Sequence, residues 1–209
     1  MADLVNIVHP YTIKIFGGEL ILTPVENFLD RDQKIANFLR KSLDLGIKIV
    51  KHNSSSRFYE MMAYGAISLD PIFGNLLMDE RMENVSTASS TGLPLEDKRP
   101  EGMNSLEWEM AKERADSDSC LRDIIGNPSR TFYLGGFLDT CIKNMALHQR
   151  RNYTPNGKIF CIEGISILGF PDKKESTRKE LEKSDIKMIS YEEAMKMIGE
   201  NGASRAKNL

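Results

Sequence analysis

Apolar and polar positions fall into blocks that read as strand, helix, strand. Leu4, Val5, Ile7 and Val8, then Ile13, Ile15 and Phe16, form two β-branched patches closing on Gly17-Gly18. They predict an extra hairpin or edge strand ahead of the main fold. Glu19 to Thr23 is a short apolar run consistent with a buried strand. Asp30 to Leu45 has helical spacing, with Ile35, Phe38, Leu39 and Leu43 on one face and Gly46 as its stop. Ile47 to Val50 follows at once as a strand, and strand, helix, glycine, strand is the βαβ unit of a parallel sheet.

The stretch from His52 to Pro100 gives weaker signals: Phe58 to Tyr64 has helical composition, and Ser86 to Pro94 reads as loop. Leu106 to Ile125 returns to helical composition before the Asn127-Pro128 break. Strands are predicted at Thr131–Leu134, Lys158–Ile162 and Ile186–Ile189, and helices at Asp139–Arg151 and Thr177–Lys183. Ser190-Tyr191-Glu192-Glu193 is a capping box opening a last helix, with Ala194, Met197 and Ile198 on its inner side. The expected fold is α/β: a doubly wound, mostly parallel sheet with helices on both faces. Its organisation is read as an extension over 1–18, one domain over 19–200 and a polar, frayed tail over 201–209.

Bulk numbers narrow the function. The chain has 209 residues, 41% hydrophobic and 28% charged, with a formal net charge of −2. Nothing there calls for nucleic acid or an anionic membrane surface. No apolar run reaches the roughly 18 residues that span a bilayer, and the first ten residues do not read as a signal peptide. Cys120, Cys141 and Cys161 are odd in number and far apart, and His9, His52 and His148 form no ligand pair. The expectation is a reducing compartment, the cytoplasm, with neither a disulfide framework nor a metal site.

The chemistry concentrates in Tyr133-Leu134-Gly135-Gly136-Phe137-Leu138-Asp139-Thr140-Cys141. A strand runs into a glycine turn, and the following helix carries a thiol in its first turn. Unpaired N–H groups and the helix dipole there favour a thiolate, and the same N–H groups could hold an oxyanion. The plain alternative is a small apolar residue starting a core helix. In an open parallel sheet ligands bind beyond the carboxyl ends of the strands, which is where Cys141 falls.

These residues resemble the isochorismatase-like cysteine hydrolases, which include nicotinamidases and N-carbamoylsarcosine amidases. Gly135, Asp139, Cys141, Ile142 and Ala146 match the nucleophile motif G-V-x-T-D-x-C-V-x-x-x-A, with Leu138 in place of its usual Thr. Ile159-Phe160-Cys161-Ile162-Glu163-Gly164 resembles the family's next strand, and Leu20 to Phe28 its opening L-V-I-D-M-Q-N-D-F. The resemblance implies hydrolysis of an amide or related bond in a small molecule, through a Cys141 thiolate and a thioester, without a cofactor. It implies an oxyanion hole made by Phe137 and Cys141, joined to a cis Gly136–Phe137 bond, with Thr23, Gly136 and Leu138 lining the substrate site. It also implies a homo-oligomer.

The pattern departs in three places. Thr23 stands where the family has its Asp base, and a threonine hydroxyl does not ionise near neutral pH. Glu26, Asp30 and Asp32 lie just downstream and are expected to be solvated acids. Lys112 is the nearest match to the family lysine, with Lys98 as the other candidate. Lys51-His52-Asn53 replaces the metal-binding Asp-x-His, which leaves His52 as a loop histidine or a substrate contact. A catalytically impaired, ligand- or protein-binding relative is the alternative these departures raise.

Overall fold

The computed structural model describes residues 3–10, 13–16, 19–22, 25–54, 71–87, 105, 108–109 and 118–206. In chain order the strands are β1 (Asp3–Val8), β2 (Ile13–Phe16), β3 (Glu19–Leu22), β4 (Lys48–Ser54), β5 (Glu83–Thr87), β6 (Arg130–Gly135), β7 (Lys158–Ile162) and β8 (Ile186–Ile189). Six form one sheet in the order β5-β4-β1-β6-β7-β8, parallel throughout. The helices are α1 (Val25–Asp44), α2 (Pro71–Leu77), α3 (Asp118–Ile125), α4 (Lys143–Asn152), α5 (Lys174–Glu182) and α6 (Tyr191–Ala206).

The sheet is centred on β1, which the sequence pattern placed outside the main fold. Every residue of β1 is buried, as expected of a parallel strand covered on both faces. Its register runs Leu4 to Lys48 on one side and Leu4 to Thr131 on the other. Glu19–Leu22, read from its composition as the first sheet strand, instead pairs antiparallel with β2 in a separate two-stranded ribbon. Both segments have strand composition. Which one enters the sheet is decided by pairing with β4 and β6, partners far along the chain. The parallel sheet therefore begins at Asp3. A salt bridge pins it there: Arg130 grips Asp3 through Nε and Nη2 at 2.9 and 2.6 Å and reaches the Met197 carbonyl of α6 at 3.1 Å.

Successive apolar side chains of β1 supply both faces. Val5 and Ile7 join Ile35, Phe38 and Leu39 of α1 and Ala194 and Ile198 of α6. Leu4 and Val8 join Leu121 of α3, Met145 of α4 and Leu181 of α5. Phe132 stacks on Phe160 at 5.4 Å and meets Phe38 edge-on at 6.1 Å. Local signals hold where they were strong. Gly46 takes φ +64° at the end of α1, and the Glu193 N–H binds Ser190 Oγ at 3.1 Å to open α6. Helix α6 continues to Ala206, past the expected frayed start at Asn201. β5 lies partly in the stretch read as loop. The expected helix at Phe58–Tyr64 falls outside the described residues.

Strand order steps from β1 to β4 to β5 in one direction and from β6 to β7 to β8 in the other. The switch lies between β1 and β6, and the crevice such a reversal opens sits above their carboxyl ends. Val8 and Gly135 are paired there.

Candidate active site

Two glycines bring the end of β6 against β1. Gly135 takes φ +110°, a conformation side chains disfavour. A Cβ on Gly136 would lie 2.7 Å from the Val8 carbonyl oxygen and 2.8 Å from that of His9, so only glycine fits. The Gly136 N–H then donates to the Val8 carbonyl at 2.7 Å. Phe137 is extended, and a π-helical turn, Leu138–Ile142, closes with the Ile142 N–H on the Phe137 carbonyl at 3.0 Å before α4 begins. Such single π turns recur at functional sites. No cis peptide bond occurs among the described residues, so the expected Gly136–Phe137 cis bond is not formed. The left-handed Gly135 and the extended Phe137 make the turn with trans peptides.

Cys141 lies on this turn, only 3% exposed, in an apolar cluster with Val8, Val50, Leu138 and Ile142. Burial pushes its thiol up from 9.0 to about 11. The backbone at Cys141 and Phe137 pulls the other way, while the Asp139 charge adds to the rise. The sequence led to the opposite expectation, a stabilised thiolate. The backbone pull is in place, but desolvation outweighs it. Asp139 is itself buried and occupied: its carboxylate accepts the Gly169 N–H at 2.8 Å and the Phe170 N–H at 3.1 Å. Leu138 is buried and donates its N–H to the Ile167 carbonyl at 2.6 Å. Thr23, Lys98 and Lys112 lie outside the described residues.

The end of β1 carries groups the sequence reading did not place. The residue after Val8 is His9, held at φ +41° with its Nε2 3.0 Å from Thr87 Oγ1. Its N–H donates to the His52 carbonyl at 3.1 Å. His52 is a fully buried residue of β4, not a loop histidine, and its Nε2 lies 2.9 Å from Asn6 Oδ1. Burial lowers His9 to about 4, against a hydrogen bond to the Asn53 backbone, and lowers His52 to about 3 with help from His9. Both rings are neutral at pH 7. Asp32 is likewise buried rather than solvated, bound to Arg31 at 2.6 and 2.9 Å, and Arg31 reaches the Pro10 carbonyl at 3.4 Å. Asp30 is exposed, paired with Lys34 at 2.7 Å. The signal that could have located His9 was the run Leu4-Val5-Asn6-Ile7-Val8, apolar except for Asn6, had it been read as a sheet strand. Among the described residues no three His, Cys, Asp or Glu side chains gather to hold a metal ion.

This architecture is the isochorismatase-like α/β fold. An isochorismatase-like hydrolase from Alkaliphilus metalliredigens superposes at TM-score 0.54 and 11% identity, over 94% of this chain and 99% of that one. The N-carbamoylsarcosine amidase of Thermoplasma acidophilum gives 0.52 at 13% identity, over 91% and 97%. The YcaC gene product of Escherichia coli, described as an octameric hydrolase of unknown specificity, gives 0.51 at 11%, over 91% and 76%. No protein-family model matches the chain, and no curated protein matches it. At such identities the likeness establishes the fold. No helix among the described residues is long and apolar enough to cross a membrane.

Proposed function

We propose that the protein is a cysteine hydrolase that cleaves an amide or related bond of a small molecule through Cys141. One observation carries the reading: Cys141 sits on the π turn set by Gly135 and Gly136, beside the switch point of an isochorismatase-like sheet. Backbone N–H groups of that turn can bind the oxyanion when a carbonyl carbon takes the sulfur's bond. The thiol is protonated at neutral pH, so attack and proton removal go together. The S–C bond forms as the S–H proton passes to a base, and the C–N bond breaks as the leaving amine takes up a proton. Water then hydrolyses the thioester.

Asp139 is a poor candidate for that base, because two backbone N–H groups already hold its carboxylate. His9 follows the strand that touches the turn, but its Nε2 faces Thr87 and the burial that keeps its ring neutral also opposes protonation, so it too is a poor base. Lys112, or Lys98, is the proposed cation of the site, and Thr23 a proposed substrate contact. A homo-oligomer is proposed by analogy with the octameric YcaC gene product, and the cytoplasm from the odd number of scattered cysteines. The test is ammonia release from a panel of small primary amides. Turnover by the protein and its loss in Cys141→Ser support the reading; turnover unaffected by that change refutes it.

A second reading is a binding module without turnover. The depth of Cys141 and the upward shift of its thiol speak for it, against structural neighbours that are hydrolases. Amides that bind in calorimetry and release no ammonia would establish this reading instead.

A further inference from the structure

The segment after β7 is laced to the nucleophile turn along its length. The Gly135 N–H donates to the Ile165 carbonyl at 3.3 Å, the Ile167 N–H to the Gly136 carbonyl at 2.9 Å, and the Leu138 N–H to the Ile167 carbonyl at 2.6 Å. Phe137 and Ile167 form a parallel bridge. The last fastening is the only one in this series made by a side chain: the Asp139 carboxylate on the Gly169 and Phe170 N–H groups. It lies two residues before Cys141. Gly169 is fitted to it, since a Cβ there would stand 3.1 Å from both carboxylate oxygens.

We propose that Asp139 is the positioning residue of the nucleophile: by clamping Gly169 and Phe170 it fixes the π turn that carries Cys141 and keeps the thiol covered. The proposal rests on reading Cys141 as the nucleophile. A carboxylate that accepts two backbone N–H groups fixes two strands of chain at once, and an alanine releases both. Loosening the clamp has a double consequence. The thiol becomes easier for a small reagent to reach, and the turn loses the donor geometry that an amide transition state needs. Reactivity toward iodoacetamide rises while turnover falls, and a role in general stability does not produce that opposition.

The experiment compares native-state alkylation by iodoacetamide at pH 8 in the full chain and in Asp139→Ala, Asp139→Asn and Gly169→Ala, read by peptide mass spectrometry. Cys161, fully buried on β7, is the internal reference. Gly169→Ala puts a Cβ 3.1 Å from both carboxylate oxygens, which must yield by a few tenths of an ångström with the charge kept, and serves if Asp139→Ala does not fold. Asp139→Ala and Gly169→Ala are expected to raise Cys141 alkylation about tenfold, with Cys161 unchanged and amide turnover reduced. Asp139→Asn, which keeps one acceptor for Gly169, is expected to fall between. Parallel rises at Cys141 and Cys161 would overturn the proposal, as would a rise in the two Asp139 variants with Gly169→Ala unchanged, which would leave charge alone as the cause. If the unaltered protein turns over no amide, the nucleophile reading fails separately, and the alkylation contrast still decides the clamp.

Discussion

Raising the pH on the native protein should reveal a thiol at Cys141 that resists ionisation. Burial moves it from 9.0 to about 11, against the pull of the backbone at Cys141 and Phe137. Two units correspond to about 2.7 kcal/mol of preference for the neutral form, and to roughly one thiolate in ten thousand at pH 7. Iodoacetamide reacts with the thiolate, so alkylation in the folded state should rise about tenfold per pH unit to near pH 11. Cys141 should react about a hundredfold more slowly at pH 7 than an unfolded cysteine. The assay is pulse alkylation read by peptide mass spectrometry, with fluorescence confirming that the fold persists at each pH. The same shift has a stability consequence. A group whose folded pKa is raised stabilises fully below its unfolded value, so this contribution is intact below about 9 and is lost as pH climbs to about 11. An apparent pKa at or below 8.5 in the native protein would refute the reasoning, because the backbone pull would then outweigh burial.

Two other consequences are open to test. Ile7→Ala removes a fully buried side chain from the central strand and should cost about 2–5 kcal/mol, lowering the urea midpoint by roughly 1 M or more. Leu29→Ala, at a 40% exposed position, should cost under about 0.5 kcal/mol; equal costs would deny β1 its central place. His9 and His52 titrate at about 4 and about 3 in the folded chain against 6.5 unfolded, so the unfolded state binds more protons below pH 6.5. Stability is present above that value and should fall as pH drops toward 4, by up to about 1.4 kcal/mol per unit for each ring. Urea midpoints at pH 7, 5.5 and 4.5 measure this, and His52→Gln should flatten the fall; an unchanged midpoint would mean neither ring is buried neutral.

The half of the chain from β6 onward was legible because its signals are local. Gly135-Gly136, the capping box at Ser190 and the apolar runs of β7 and β8 each announce themselves within a few residues. The N-terminal half depends on partners far away. Three apolar runs precede α1, and nothing within Asp3–Val8, Ile13–Phe16 or Glu19–Leu22 says which will pair with β6, more than a hundred residues on. That error carried into the site. Taking Glu19–Leu22 as the first sheet strand hid His9, and with it the Asn6–His52 contact and the buried Arg31–Asp32 pair. At Cys141 the glycine turn and the thiol's place after it were readable from spacing, and Phe137 and Cys141 as donors only from the family resemblance. The sign of the thiol shift was not, because desolvation depends on what packs against the sulfur, and Val8 and Val50 come from distant strands.

The central claim, that Cys141 forms a bond to an acyl carbon, is tested most directly by intact-mass analysis. The protein is mixed with each of a panel of small primary amides and quenched in acid. The account predicts a mass increase equal to the acyl group, mapped to the Cys141 peptide, released by hydroxylamine and absent from Cys141→Ser. Amides that bind measurably yet leave the mass unchanged would contradict it and identify the fold here as a binding module.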